Sequence, residues 1–288
     1  MIKKCTGIIF EYIVVMFIIE VFAYYFQCLP RLADYINNSQ LFKTEVGSTF
    51  LWMYLESVPM IISVFAVAIY IKKYLKKVFF DYLMIKKNNC LKFIFIGVGL
   101  AILNIILIVL LENGLKLVDI SSSNNIDFAL LIVYFVGFIL QCLVEEIIYR
   151  GIVLGQIKSE INMKVGCLVS SILFSMSHIG NDHFGIVPAI NLFLFGVLMC
   201  FLLDLTKNMW TVISFHVLWN YLQANFWGME VSGITFDTSV FIVNRKDDFN
   251  ILTGGEFGVE GGVICTFLLL ISIVAVYILY KKRNLRNK

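Results

Sequence analysis

Charge is scarce in this chain. Only 15% of its 288 residues are Asp, Glu, Lys or Arg, against about 25% in an average soluble domain. That shortage excludes an intrinsically disordered chain, a coiled coil and a nucleic-acid-binding module, all of which need abundant charge. Proline is nearly absent, with three residues, so little interrupts long helices. The seven cysteines form no CxxC or CxxH pair and lie mostly inside apolar runs, where Cys behaves as a small hydrophobe. Neither a disulfide framework nor a thiolate metal site follows from them. There is no internal repeat, no low-complexity tract and no polar stretch long enough for a soluble domain.

What is present is apolar. Hydrophobic residues make up 60% of the chain and the mean hydropathy is +0.87. A soluble fold has too little polar surface to cover that much apolar material. The expected fold class is all-α: a polytopic transmembrane helical bundle forming one integral membrane domain over 1–288. A bilayer core of about 30 Å needs about 20 apolar residues per helix. Eight segments approach that length: 7–29, 48–71, 93–111, 128–149, 165–179, 184–205, 208–228 and 263–280. The first follows Met1-Ile2-Lys3-Lys4 but is too long for a signal-peptide core, so it reads as an uncleaved helix.

With the N-terminus inside, eight spans place 18 Lys and Arg on inside segments and 5 on outside ones. The positive-inside rule therefore makes both termini cytoplasmic and puts the loop 229–262 outside. That loop is acidic and Gly-rich, which suits irregular structure. The expected location is a multi-pass integral membrane protein, in the plasma membrane if bacterial, with the lipid bilayer as its solvent.

Charged side chains at mid-membrane cost about 2.5–3.5 kcal/mol each on insertion scales, so each one needs a reason. The candidates are Glu11, Glu20, Glu56, Glu145, Glu146, His178 and His216, with the amide Asn220. Glu146 and Arg150 are four residues apart and form an intrahelical ion pair on one face. Glu145 diverges from Glu146 by about 100° and is left without a partner, a fitting state for a general base. Phe174 and His178 share one face, as do His216 and Asn220. Taken singly, such residues read more simply as hydrogen-bonding glue between spans. At 1.5 Å per residue, Glu145 and His216 lie roughly 12–15 Å in from the cytoplasmic rim, and His178 roughly 21 Å. Those depths point to one site in the inner half of the bilayer. Glu11, Glu20 and Glu56 have no spacing that suggests chemistry.

Three elements occur in order on successive spans: Glu145-Glu146-x-x-x-Arg150, Phe174-x-x-x-His178 and His216-x-x-x-Asn220. Together they resemble the CAAX protease and bacteriocin-processing (CPBP, or Abi) family of intramembrane endopeptidases. The Ras-converting CAAX prenyl endopeptidase is a eukaryotic member. The resemblance covers 128–228, the expected catalytic core. It implies that Glu145 and His178 activate water, that His216 and Asn220 hold the oxyanion, and that Glu146 and Arg150 support them. It also implies a peptide or protein substrate and a cavity open to the cytoplasm, in peptide maturation or bacteriocin self-immunity.

The family has been called metalloproteases, and Glu145, His178 and His216 would be the candidate zinc ligands. There is no His-Glu-x-x-His, so water activated without a metal is the preferred chemistry. Two readings from other classes stand beside it. One is a non-catalytic immunity or scaffold protein that binds a peptide in the same pocket. The other is a proton-coupled transporter, which no repeat or pair of broken helices supports.

Overall fold

A computed structural model describes residues 62, 65, 69, 72, 83–85, 88–124, 126–246 and 250–286. The expected spans 7–29 and 48–71, with Glu11, Glu20 and Glu56, lie outside these residues apart from positions 62, 65 and 69. Helix α1 runs Cys90–Gly114. Strand β1, Val118–Ser122, follows it. Helix α2 spans Phe128–Glu160 and includes a π-helical stretch at Ile147–Val153. Then come α3, Met163–Met176, α4, Ile186–Thr206, and α5, Met209–Tyr221. A second π-helical stretch, Leu222–Phe226, extends α5. Strand β2, Phe241–Arg245, precedes α6, Val263–Arg286.

Three helices begin on side-chain caps that the sequence supplies at the junctions. Asp127 accepts the Ala129 and Leu130 amides at 2.8 and 3.0 Å. Asn162 accepts Val165 and Asn208 accepts Trp210, each at 3.0 Å. Each cap satisfies donors that a helix start leaves without a partner.

Among the described residues four helices are long and apolar enough to cross a membrane: α1, α2, α4 and α6 over Val263–Arg283. Their outward faces are apolar, with Leu103, Leu110, Phe128, Ile132, Phe267 and Val274 all more than half exposed. In water such faces would be a liability, and lipid is the solvent that suits them. Between helices the polar contacts are sparse and specific. Ser214 Oγ on α5 donates to the Trp210 carbonyl at 2.7 Å and reaches the Ile94 carbonyl on α1 at 3.1 Å. Ser272 on α6 donates to Asn104 on α1 at 2.7 Å. Thr266 on α6 donates to Asn191 on α4 at 2.6 Å.

The α1–α5 crossing is closest at Gly97. A Cβ placed there would lie 2.1 Å from Ser214 Oγ and 2.2 Å from the Thr211 carbonyl oxygen, and one of these is backbone that cannot swing aside. Gly97→Ala is therefore expected to lower stability by about 1–3 kcal/mol, the usual cost of overpacking. Thermal unfolding in detergent, with Gly99→Ala as the control, checks it, since nothing lies within 4 Å of a Cβ at Gly99.

The fold departs from the sequence reading in three places. The fourth span does not stop at 149. The helix continues to Glu160 because nothing after Tyr149 breaks it and because Arg150, which reads as a helix-end charge, is buried instead. Glu145 is accordingly near the middle of α2, ~26 Å from its start and ~22 Å from its end. The fifth segment is a helix of 14 residues, ~21 Å long and too short to cross a bilayer alone. The bundle is also not purely α. β1 and β2 pair antiparallel, from Val118 opposite Arg245 to Ser122 opposite Phe241, so the segment after α5 is partly ordered into a ribbon.

The two ends of the bundle differ in charge. One end gathers the start of α1, the α2–α3 turn, the α4–α5 turn and the end of α6. There Asp204 pairs with Lys158 and Lys207, and Arg283 donates to the Leu205 carbonyl. The opposite end holds the β-ribbon, the α3–α4 turn and the 227–262 segment. Within that segment Gly258 (φ +92°) packs against the Glu230 carbonyl, where a Cβ would sit at 2.0 Å. The Gly-rich composition of this stretch is therefore required by a close backbone approach.

Candidate active site

Four side chains from three helices meet at one small cavity. Glu145 comes from α2, His178 from the turn after α3, and His216 and Asn220 from α5. The cavity is about 50 Å³. A single buried water needs about 10–15 Å³ of such space, so the cavity can hold water. Its apolar wall includes Phe138, Phe174 and Leu192.

His216 is the hub of the arrangement. It is 4% exposed. Its Nδ1 lies 2.9 Å from Glu146 Oε1, and its Nε2 lies 3.8 Å from Glu145 Oε2. Adjacent helical carboxylates diverge, and they do so here, but an imidazole has a nitrogen at each side and bridges them. Glu146 Oε1 also meets Arg150 Nη1 at 3.2 Å, and both side chains are wholly buried. A carboxylate paired with Arg is an acceptor, so the proton of this hydrogen bond sits on His216 Nδ1. That leaves Nε2 facing Glu145. Their separation is too long for a direct hydrogen bond and suits an intervening water.

Arg150 has a second partner. Its guanidinium carbon lies 4.3 Å above the Phe174 ring, a cation–π contact. Phe174 therefore joins the motifs physically, because its ring also packs at 5.0 Å from the His178 ring and 5.8 Å from the His216 ring. Arg150 lies within the π-helical stretch that follows Glu146. Such stretches are frequent at functional sites.

His178 is anchored at the end of α3. Its Nδ1 lies 2.8 Å from the Phe174 carbonyl, which Ser177 Oγ also meets at 2.8 Å. Both cap a carbonyl left without a partner at the end of α3. The tautomer is thereby set with hydrogen on Nδ1, and Nε2 is the uncommitted nitrogen. The partner nearest the Glu145 carboxylate is Gln141, whose Nε2 donates to Oε1 at 3.1 Å from one turn earlier. Asn220 Nδ2 has only a long contact, 3.6 Å to Cys142 Sγ. That contact is weak, so the amide is free to serve a better acceptor.

The cavity also has a roof that motif reading does not reach. Asn181, Val231, Ser232, Ile234, Phe236 and Glu260 complete its lining. Glu260 accepts Trp219 Nε1 at 2.8 Å and Ser232 Oγ at 2.5 Å, which ties the segment after α5 to α5 itself, beside Asn220. Asn181 donates to the Ser232 carbonyl at 2.9 Å. Asn181 lies three residues after His178, and the others are 11 to 40 positions beyond Asn220, where no spacing links them to a motif. Gln141 was within reach of the sequence, four residues before Glu145, but an amide alone carries little signal.

The cavity lies away from the lysine-rich end of the bundle. It lies beneath the 227–262 segment, at the opposite end, because α2 runs on past Glu145 and α3 delivers His178 at its far terminus. Among the described residues no set of three His, Cys, Asp or Glu side chains is placed to hold a metal ion. Glu146 already engages His216 Nδ1. No step is routed through a metal.

Residues 127–222 match the family model described as Type II CAAX prenyl endopeptidase Rce1-like. No curated protein matches the chain. The matched stretch runs from the cap of α2 to the end of α5 and contains Glu145, His178, His216 and Asn220, while the roof residues Val231, Ser232, Ile234, Phe236 and Glu260 lie beyond it. This match agrees with the CAAX protease family resemblance that the three motifs carry.

Proposed function

We propose that this protein is an intramembrane endopeptidase that hydrolyses a peptide bond with water activated in the Glu145–His216 cavity. The observation that carries the reading is the convergence of two imidazoles, a carboxylate and an amide from three helices on a water-sized space inside an apolar shell. Glu145 is the general base. It is held by Gln141 and has His216 Nε2 across a water's width. His178, with Nε2 uncommitted, assists in moving the proton to the leaving amine. Asn220 and His216 lie one turn apart on α5 and face the position where the oxyanion forms; with Nδ1–H given to Glu146, His216 donates there as an imidazolium, through Nε2–H. Glu146 and Arg150 do not touch the reacting atoms. They fix the His216 ring and its tautomer, as a carboxylate behind a catalytic imidazole does.

A low-dielectric wall strengthens such donors, provided water can enter. Peptide maturation and bacteriocin self-immunity are the settings that the family resemblance offers for this activity. The test is cleavage of membrane peptides in cells expressing the full chain or its variants. Asn220→Ala is expected to lower the rate about 10²–10³-fold, the cost of one oxyanion donor. Thermal unfolding should be nearly unchanged, because Asn220 gives up only a long contact to Cys142. A wild-type rate in Asn220→Ala would remove it from the oxyanion role.

A further inference from the structure

We infer that the cavity opens to the extracytoplasmic face of the membrane, so that the substrate is a peptide segment presented at the outer surface. The inference rests on the peptidase reading above and adds to it the side from which the substrate comes. It follows from two placements that the sequence alone could not relate. The first is where the cations lie. The end of the bundle away from the cavity holds Lys92, Lys158, Lys164, Lys207, Lys281, Lys282 and Arg283 among the described residues. The end that roofs the cavity holds Lys116, Arg245 and Lys246 among its described residues, and Arg245 and Lys246 are paired with Glu230 and Asp119. The connecting segments are short, which is where the positive-inside rule applies. The lysine-rich end is therefore cytoplasmic.

The second placement is that of the opening. The polar side of the cavity is formed by the α3–α4 turn and by the segment after α5, through His178, Asn181, Ser232 and Glu260. Ile234, on the rim, is 53% exposed. No cation of the lysine-rich end lines the cavity. Between the two ends stands a packed layer that includes Ile157, Leu203 and Met209, each 0% exposed, with Arg150 and Glu146 buried above it. Water and an extended peptide strand thus reach Glu145 from the acidic, ribbon-bearing end, and that end is the outer one. A cytoplasmic opening and a lysine-rich cytoplasmic end are incompatible in this fold.

Cysteine labelling of the full chain in intact cells tests the inference. The parent carries Cys5, Cys28 and Cys90 replaced by Ser, and a membrane-impermeant maleimide is the probe. Ile234→Cys on the rim is expected to label as fully in intact cells as after permeabilisation. Glu256→Cys, on the same segment and 76% exposed, is a second reporter should Ile234→Cys fold poorly. Lys164→Cys, exposed in the first turn of α3, should label only after permeabilisation. Labelling of Lys164→Cys in intact cells, or protection of the two loop cysteines there, overturns the inference. The labelling does not depend on catalysis, so adding Glu145→Gln should leave the pattern unchanged. A separate arm compares peptides released from wild-type and Glu145→Gln cells. Cut sites mapping to outer-face segments support the inference, and cut sites in cytoplasmic segments overturn it. Outer labelling with no difference in released peptides would instead defeat the peptidase reading while leaving the orientation intact.

Discussion

Glu145→Gln is expected to abolish measurable peptide cleavage while leaving abundance and thermal unfolding close to wild type. The amide keeps the shape of the side chain and can still accept the Gln141 hydrogen bond through its oxygen. It cannot take a proton from water. General-base removal alone typically costs about 10²–10⁴ in rate. Here the loss should sit at the upper end, because His216, the other group near that water, already has Nδ1 committed to Glu146. Glu146 has its own buried partner in Arg150, so Glu145 carries no structural ion pair that the substitution would break. The single-turnover rate and a melting curve on the same preparation separate the two effects. Glu11→Gln and Glu20→Gln should be much milder. A well-folded Glu145→Gln protein with full biological effect would mean that the pocket binds rather than cuts, as an immunity or scaffold protein would.

The site residues were legible because membrane-embedded polar groups are expensive and therefore conspicuous. Glu145, His178, His216 and Asn220 could be picked out one by one from apolar runs, and helical spacing assigned them to faces. Their connections were less legible. The divergence of Glu145 from Glu146 is correct for a helix, but sequence spacing cannot register that an imidazole from α5 reaches both carboxylates. Nor does spacing show that His178 Nδ1 is spent on the terminal carbonyl of α3. Arg150 read as an interface charge that stops a helix. Buried against Phe174 and Glu146, it lets α2 continue for another ten residues, and this moves the site from the inner rim to mid-helix. The roof was beyond reach altogether. Ser232 and Glu260 belong to a Gly-rich stretch whose composition says only that it is irregular, and their bonds to Asn181 and Trp219 are purely tertiary.

Arg150→Ala should be the most destabilising single change in the site. Glu146 and Arg150 are both fully buried, and removing one partner of such a pair leaves an uncompensated charge, at a cost of about 3–5 kcal/mol. The cation–π contact with Phe174 is lost as well, and with it some of the packing that aligns the His178 and His216 rings. Unfolding by heat or denaturant in detergent should register this as an early transition, and cleavage should fall with it. Loss of activity in this variant alone would therefore say little about mechanism. The double variant Arg150→Met with Glu146→Gln separates the two contributions. Both charges are gone, the volumes are similar, and a buried ion pair replaced by neutral groups is often neutral for stability or better. Stability should recover most of the loss. Activity should not, because the amide at 146 is a weaker acceptor for His216 Nδ1–H than a carboxylate, so the ring loses the group that fixes its orientation and tautomer. Recovery of both stability and cleavage would show that the Glu146–Arg150 pair serves the fold alone. Recovery of stability without cleavage would assign Glu146 its positioning role behind His216.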